Sequence, residues 1–514
     1  MSKKNLIKED VENKDCNIGI FIFRKDLRII DNRGLIKMSE KVNKIIPIFI
    51  FDPHQVDITA NTKNYLSLPA LKFLCESVIS LGNDLKKNKS ILNVFYDNPI
   101  NIIKDITKYF KDLGKNFCIG YNEDYTSYSI NRDNEIDDYC NKYDIEIIKN
   151  SDDYTLYELD LLLRDEKKKL CYKQYGAFKN NMLKHKSKFN KVDNKKIIFG
   201  KINFNNTITK EKINKLWEPL KEINKNYEPL VIGGREYAIE ILKHIKDFKD
   251  YNDKRDILDY NTTHLSAYLN FGCISEREFY EKLIKDIPSS QLINQVIWRD
   301  YYYSLLKYLP KANSYIEHVD DRYNKLKWLD NYTGPKKFKN NRHKQSWEEW
   351  NIMMNSQTGF LMVDAAIQEL LKNGYMHNRC RMIVGVFSVK YLLINPLCRY
   401  VGLNDWFSRH LLDCSTSQNK LNCQWVTELD FPGKKFSPHL APLAGRPMNI
   451  SNIMIKKWDP DCSYIKKWLP HLKEVPIKNI YKWDSDYDEK FHPGPIFNSK
   501  ERYDEWIEIC KKLK

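Results

Sequence analysis

The chain of 514 residues contains no CxxC pair; its 12 cysteines are scattered without regular spacing. That excludes the common zinc-site patterns and a small disulfide scaffold, and leaves reduced thiols in an intracellular protein as the default. No apolar run approaches the roughly 18 residues that a membrane span needs. The opening MSKKNLIKEDVENKDC has no apolar centre, so residues 1–16 read as a disordered tail rather than a secretory signal. No internal repeat is visible. Negative charge is also short, with 68 Asp and Glu against 84 Lys and Arg, a net of +16. A nucleic acid is the simplest polyanionic partner for that excess, and a Lys-, Asn- and Ile-rich composition of AT-biased coding is the plainer source of it.

Hydrophobic residues make up 42% of the chain, enough for cores of real size, and 11 Trp and 32 Tyr suffice for stacking surfaces as well. Short apolar runs at 18–23, 44–51, 91–96, 117–121 and 145–148 alternate with helical patterns at 34–42 and 68–85. Buried parallel strands read this way, so residues 17–150 are expected to form a doubly wound α/β domain. Residues 151–230 are rich in Lys and Asn with weak periodicity, and are expected to form an interdomain connector. From 231 to 514 the pattern is helical: 235–248, 276–284, 290–308, 347–355, 359–373 and 373–387. This is a second, all-α domain.

The stretch NGYMHNRCRMIVGVF (373–387) has core-like residues around His377, Asn378, Arg379 and Arg381. Asn378, Arg381, Met382 and Gly385 share one helical face. A buried Arg needs a partner; either an interior ion pair or a polar ligand pocket satisfies it. TTHLSAYLNFG (262–272) brings hydroxyls to a helix start, as an ordinary N-cap or as a phosphate cradle. In NQVIWRDYYYSLLKYLP (294–310), Gln295, Trp298, Arg299 and Tyr302 share a face. A core Trp beside a surface Arg is one reading, and base stacking with a phosphate grip is the other. SRHLLDCSTSQNKLNCQWVTEL (408–429) holds Asp413, a carboxylate able to pair with Arg381.

Together and in this order, these pieces resemble the photolyase/cryptochrome family, over residues 19–472. FRKDLRIIDNRGL (23–35) is similar to its N-terminal signature, TTHLSAYLNFG to its flavin phosphate loop, and NSQTGFLMVDAAIQELLKNGYMHNRCRM and WDPDCSYIKKWLPHL to two further blocks. The resemblance implies an antenna-type α/β domain and a larger helical domain holding FAD, reduced and anionic when active, with room for an antenna chromophore of unspecified identity. It places Tyr251, Thr262, Thr263, His264, Leu265, Ser266, Arg381, Asp413, Ser415 and Asn419 at the flavin. It places Arg255, Gln295, Trp298, Arg299, Asn378, Arg379, Trp425 and Arg446 at damaged DNA. Within that set, Gln295, Trp298, Asn378, Met382 and Trp425 meet the flipped-out lesion.

The implied activity is light-dependent splitting of cyclobutane pyrimidine dimers, as in class I-like enzymes. Members that repair 6-4 photoproducts carry two histidines, where this chain has Asn378 and Met382. Gln295 points the other way, since cyclobutane-dimer enzymes usually carry Glu there. The rival readings are a 6-4 photolyase and a cryptochrome-like photoreceptor. Cys423 stands where the family has the Trp nearest the flavin in its electron relay, and Trp328 matches the outermost relay Trp. UV-damaged DNA is the expected partner, with no membrane, no obligate protein partner and a monomeric state. The expected location is intracellular, with nucleus, cytoplasm and virion equally open.

Overall fold

The structure is a computed structural model. It describes residues 16–56, 66–185, 189, 191–223, 225–309, 324–329, 337–398, 401–426, 450 and 452–511. The first part is a five-stranded parallel sheet formed by β1 (Cys16–Phe23), β2 (Val42–Phe51), β3 (Asn93–Tyr96), β4 (Cys118–Asn122) and β5 (Ile147–Asn150), in the order β3-β2-β1-β4-β5. The central strands are apolar from Ile18 to Phe23 and from Ile45 to Phe51 because helices cover both faces. These are α1 (Arg33–Lys41), α2 (Leu68–Lys87), α3 (Pro99–Asp112) and α4 (Ser127–Lys142). Each opens on a polar cap: Asn32, Ser67, Asn98 and Thr126 each accept a bond from a backbone N–H of the first turn.

Residues 151–230 do more than cross the surface. Leu156, Tyr157, Phe178 and Met182 are fully buried in the core, and Phe199 pairs with Ile45 at the sheet. A helix, α5 (Tyr175–Lys184), lies within this stretch. The Lys- and Asn-rich composition hid these widely spaced anchors.

The remainder is helical. Its principal elements are α6 (Arg235–Lys243), α7 (Ser266–Asn270), α8 (Glu276–Asp286), α9 (Leu292–Tyr308), α10 (Asn341–Met354), α11 (Leu361–Asn373), α12 (Asn378–Val386), α13 (Leu403–His410), α14 (Thr416–Val426) and α15 (Ser499–Lys511). The run 373–387 is not one helix. Gly374, at φ 67°, ends α11, and α12 starts only after His377, whose ring nitrogen caps it by accepting from the Arg379 N–H at 3.2 Å. No described helix is long and apolar enough to cross a membrane.

An ionic knot joins the two parts. Arg28 donates to Asp153 at 2.7 Å and Arg277 to Asp31 at 2.7 Å, with all four side chains at most 1% exposed. Isolated charges in such a place would be prohibitive, and here each is paired. Thus Arg28 and Asp31 of the FRKDLRIIDNRGL stretch fasten the sheet to the helices. Gly272 closes the seam: it sits at φ 64°, and a Cβ there would fall 2.2 Å from the Lys25 carbonyl oxygen.

Candidate functional site

Arg381 lies on α12 and projects toward the turn before α14. Its Nη2 donates to both oxygens of Asp413 at 3.1 and 3.0 Å, and its Nε donates to the Met376 carbonyl at 2.8 Å. Asp413 also accepts from the Ser266 hydroxyl at 2.7 Å, which ties the 262–266 loop to the same carboxylate. The guanidinium sits 5.3 Å over the Tyr375 ring, and His264 meets that ring edge-on at 4.9 Å. One cation, one carboxylate, one hydroxyl and two aromatic rings therefore converge from three separate stretches of chain.

Thr263 and Leu265 are buried, Thr262 and Tyr251 half-buried, and Ser266 exposed. Ser415 is buried below Asp413, and its carbonyl starts the turn of α14 by accepting from the Asn419 N–H at 2.8 Å. The Asn419 side-chain amide donates to Asn404 of α13, to the carbonyl at 3.1 Å and the side-chain oxygen at 3.2 Å. Asn404 thereby fixes the amide with its nitrogen turned to α13, and Oδ1, which accepts from the Cys423 thiol at 3.8 Å, keeps a second lone pair for a ligand donor. Nothing in the residues around Asn404 marks it, because its role appears only when α13 packs on α14.

Three buried polar atoms around this turn have no hydrogen-bond partner among the described residues: His264 Nδ1, Asn270 Oδ1 and Gln418 Nε2. Burial pushes the His264 imidazole down to about 4, so it is neutral near pH 7. Orphaned donors and acceptors beside an Arg–Asp pair and aromatic rings fit a large polar ligand with a planar system, and a flavin nucleotide meets every element.

The outer face of α12 carries Asn378, exposed, and Met382, 4% exposed. Arg379 is held by Asp256, with Nε at 2.9 Å and Nη2 at 2.6 Å from one carboxylate oxygen, and its Nη1 touches the Met382 sulfur at 3.2 Å. Arg255, the neighbour of Asp256, is half-buried on the same rim. Asp256 is a second residue the sequence reading missed, since it lies 123 residues from its partner.

On α9, Gln295 is exposed and Trp298 half-buried. Tyr302 of the same helix donates to the side chain of Asn422, which docks α9 against α14, the helix that carries Trp425. The Trp425 side chain and the whole of Arg446 lie outside the described residues. One expectation fails. Arg299 is 7% exposed and paired with Glu276, with Nη2 donating to the Leu269 carbonyl at 3.0 Å, so it is an interior ion pair and not a phosphate contact. Trp328 is 3% exposed, clustered with Leu326, Val389, Leu393 and Trp506 of α15. Cys423 is buried, with its sulfur 3.8 Å from Asn419 Oδ1, and burial raises its thiol, so it stays protonated.

A second pocket opens at the C-terminal ends of β1 and β4, where the strand order reverses. Arg24, Lys25, Asp52, Asp124, Tyr128 and Arg132 line it, together with Cys414, the neighbour of Asp413. Arg132 Nη2 is buried there without a hydrogen-bond partner among the described residues.

Two family models match the chain: "DNA photolyase" over residues 20–195 and "FAD binding domain of DNA photolyase" over residues 292–512. A deoxyribodipyrimidine photo-lyase of Buchnera aphidicola is 28% identical, with 96% of each chain covered. A (6-4)DNA photolyase of Arabidopsis thaliana is 25% identical over 90% of this chain and 80% of its own. The crystal structure of an archaeal photolyase from Sulfolobus tokodaii with two FAD molecules superposes with a TM-score of 0.78 at 26% identity, covering 96% of this chain and 100% of that one. With the α/β sheet, the helical part and the flavin-shaped cradle all in the order those matches require, the chain belongs to the photolyase/cryptochrome family and carries its FAD-binding domain.

Proposed function

We propose that this protein is a light-driven repair enzyme for cyclobutane pyrimidine dimers in DNA. The observation that carries this reading is the acid–base poverty of the lesion face. Asn378 and Met382 carry no titratable group, and the one histidine of MHNRCRM, His377, is turned inward as the cap of α12. Burial, reinforced by Arg379 and Arg381, pushes His377 down to about 4. Splitting a cyclobutane ring needs an electron and its return, with no proton donor at the lesion; a reaction that requires an imidazole acid has none here.

Reduced FAD, when bound and excited by light, supplies that electron. The chain's residues hold and tune the surroundings. Arg381 places a positive charge at the flavin, which favours an anionic ring, and Asp413 keeps that charge in position. Asn419 offers Oδ1 to a ring N–H, oriented by Asn404. A dimer inside a duplex is out of reach, so it is flipped out, at lower cost than an intact pair. Trp298 and Trp425 receive it by stacking, Gln295 and Asn378 bond the pyrimidine edges, and Arg255 and Arg379 hold phosphates. The same role is proposed for Arg446 from the resemblance alone. The pocket at the end of β1 and β4, with its unpartnered Arg132 nitrogen, suits an anionic antenna chromophore.

Gln295 supports a second reading, repair of 6-4 products, because an exposed neutral amide replaces the carboxylate usual in cyclobutane-dimer enzymes. A photoreceptor without repair activity is the third. Illuminating the reduced flavoprotein with an oligonucleotide bearing one thymine dimer separates enzyme from sensor. Restored thymines in the light and none in the dark are expected; intact dimer under both conditions, with flavin bound, contradicts the enzyme reading.

A further inference from the structure

Trp298 does not stand alone. The ring of Tyr175, the first residue of α5, lies parallel to its indole, with centroids 3.4 Å apart and planes within 5°. The Tyr175 hydroxyl donates to the Asn294 carbonyl at 3.2 Å, one turn before Trp298 on α9. Tyr301 meets both rings edge-on, at 5.8 Å from Tyr175 and 5.6 Å from Trp298, and its own hydroxyl donates to the Lys173 carbonyl at 2.9 Å. Phe178 packs on Tyr301 from the next turn of α5. Burial raises the Tyr175 phenol, so it is a neutral donor at any physiological pH.

We infer that Tyr175 is a positioning residue for lesion recognition: it clamps Trp298 into one plane, so that the indole is a fixed wall before a damaged base arrives. The inference rests on the reading of Trp298 as a lesion wall. An indole on a helix surface ordinarily loses side-chain freedom when a base stacks on it, and that ordering weakens binding. Here the freedom is already removed, by the parallel Tyr175 ring, the near-parallel Tyr302 ring at 5.6 Å and 25°, and the edge-on Tyr301 ring. The hydroxyl bond to Asn294 ties the clamp to the same helix as the wall, so the two move together. A displaceable plug would need a ring free to leave. Tyr175 is held at its hydroxyl by Asn294 and at its ring by Trp298 and Tyr301. The 151–230 stretch thereby contributes to specificity without touching the lesion.

The test is a double-mutant cycle with Tyr175→Leu and Trp298→Ala on the FAD-loaded protein, read by dark titration of a duplex containing one cyclobutane dimer and of the same duplex undamaged. Tyr175→Leu is expected to weaken lesion binding by about two- to tenfold, the scale for one side chain that must order on binding. Undamaged binding, salt slope and bound flavin are expected to stay constant, and Tyr175→Phe, which keeps the stack, is expected to restore most of the loss. The double variant is expected to bind no more weakly than Trp298→Ala alone. Additive losses, or a Tyr175→Leu variant that binds the lesion as the parent does, overturn the inference while Trp298→Ala still weakens binding. Tighter lesion binding by Tyr175→Leu overturns it in favour of a plug. If Trp298→Ala itself changes nothing, the wall reading fails, and the clamp with it. Should Tyr175→Leu lose flavin or unfold, Tyr175→Val runs through the same cycle, and a Val variant that binds the lesion as tightly as the parent is the overturning result.

Discussion

Arg381 and Arg379 sit two residues apart on α12 and live in different worlds. Arg381 turns inward to Asp413, a carboxylate whose side chain is 4% exposed. Arg379 turns outward to Asp256, whose side chain is 37% exposed. Both pairs have comparable distances, so geometry does not separate them. Burial does: removing one partner of a buried pair strands a charge away from water, whereas an exposed carboxylate is rehydrated at little cost. The two cations are similarly exposed, at 25% for Arg381 and 21% for Arg379, so the difference lies in their carboxylates; in the proposed function the inner pair serves the cofactor and the outer cation a phosphate.

The sharpest way to break this comparison is to remove the inner cation. Arg381→Ala leaves Asp413 without its countercharge and is expected to destabilise the holoprotein by about 3–5 kcal/mol, with loss of bound flavin, read by denaturant unfolding and flavin absorbance. A loss under about 1 kcal/mol, the scale of an exposed pair, places the two arginines in one class.

The next largest effect concerns Glu369, which lies behind the same helix. It accepts from the Tyr464 hydroxyl at 2.7 Å and the His377 N–H at 3.0 Å, and burial raises its carboxyl to about 7 from 4.5. A folded-state pKa above the unfolded one means that the native protein binds the extra proton between those values. Glu369 therefore contributes a falling stability as pH rises from 4.5 to about 7, and no further slope above that. Glu369→Gln keeps both acceptor contacts and is expected to remove about 3 kcal/mol of that pH dependence. His377 acts oppositely, since its lowered value weakens the fold as pH falls below 6.5. The difference between variant and parent isolates the carboxyl; identical pH profiles refute its assignment.

The smallest effect is the outer pair itself. Arg379→Ala is expected to change stability by less than about 1 kcal/mol, and to reduce the salt slope of DNA binding by about 1. A large stability loss with an unchanged slope makes Arg379 structural.

The sequence was most legible where one segment decides its own structure. The apolar runs of β1 and β2 read as buried strands and form them; an interior Arg381 called for a partner, and the resemblance offered Asp413 as that partner. Legibility failed where the deciding contact comes from far along the chain. Arg299 beside Trp298 reads as a surface cation until Glu276, 23 residues earlier, is folded against it. Nothing near Trp328 in the sequence shows that Trp506 of α15 packs against it. Tyr175 sat in a Lys- and Asn-rich stretch whose composition resembles a linker, and only its ring, parallel to Trp298, reveals its place. Asn404 is an unremarked residue until α13 meets α14. The break between α11 and α12 was available in principle, because Gly374 and the following Tyr-Met-His carry the marks of a helix stop and a cap.

The most direct test of the account is a side-by-side repair assay with the flavin reduced. Two duplexes, one with a single cyclobutane thymine dimer and one with a single 6-4 product, are illuminated with the protein, and the lesions are quantified. The account predicts that the cyclobutane dimer disappears in light alone and that the 6-4 product stays intact, because neither Asn378 nor Met382 can donate a proton and His377 is locked in its cap. Restoration of the 6-4 product with the dimer left unrepaired would contradict it.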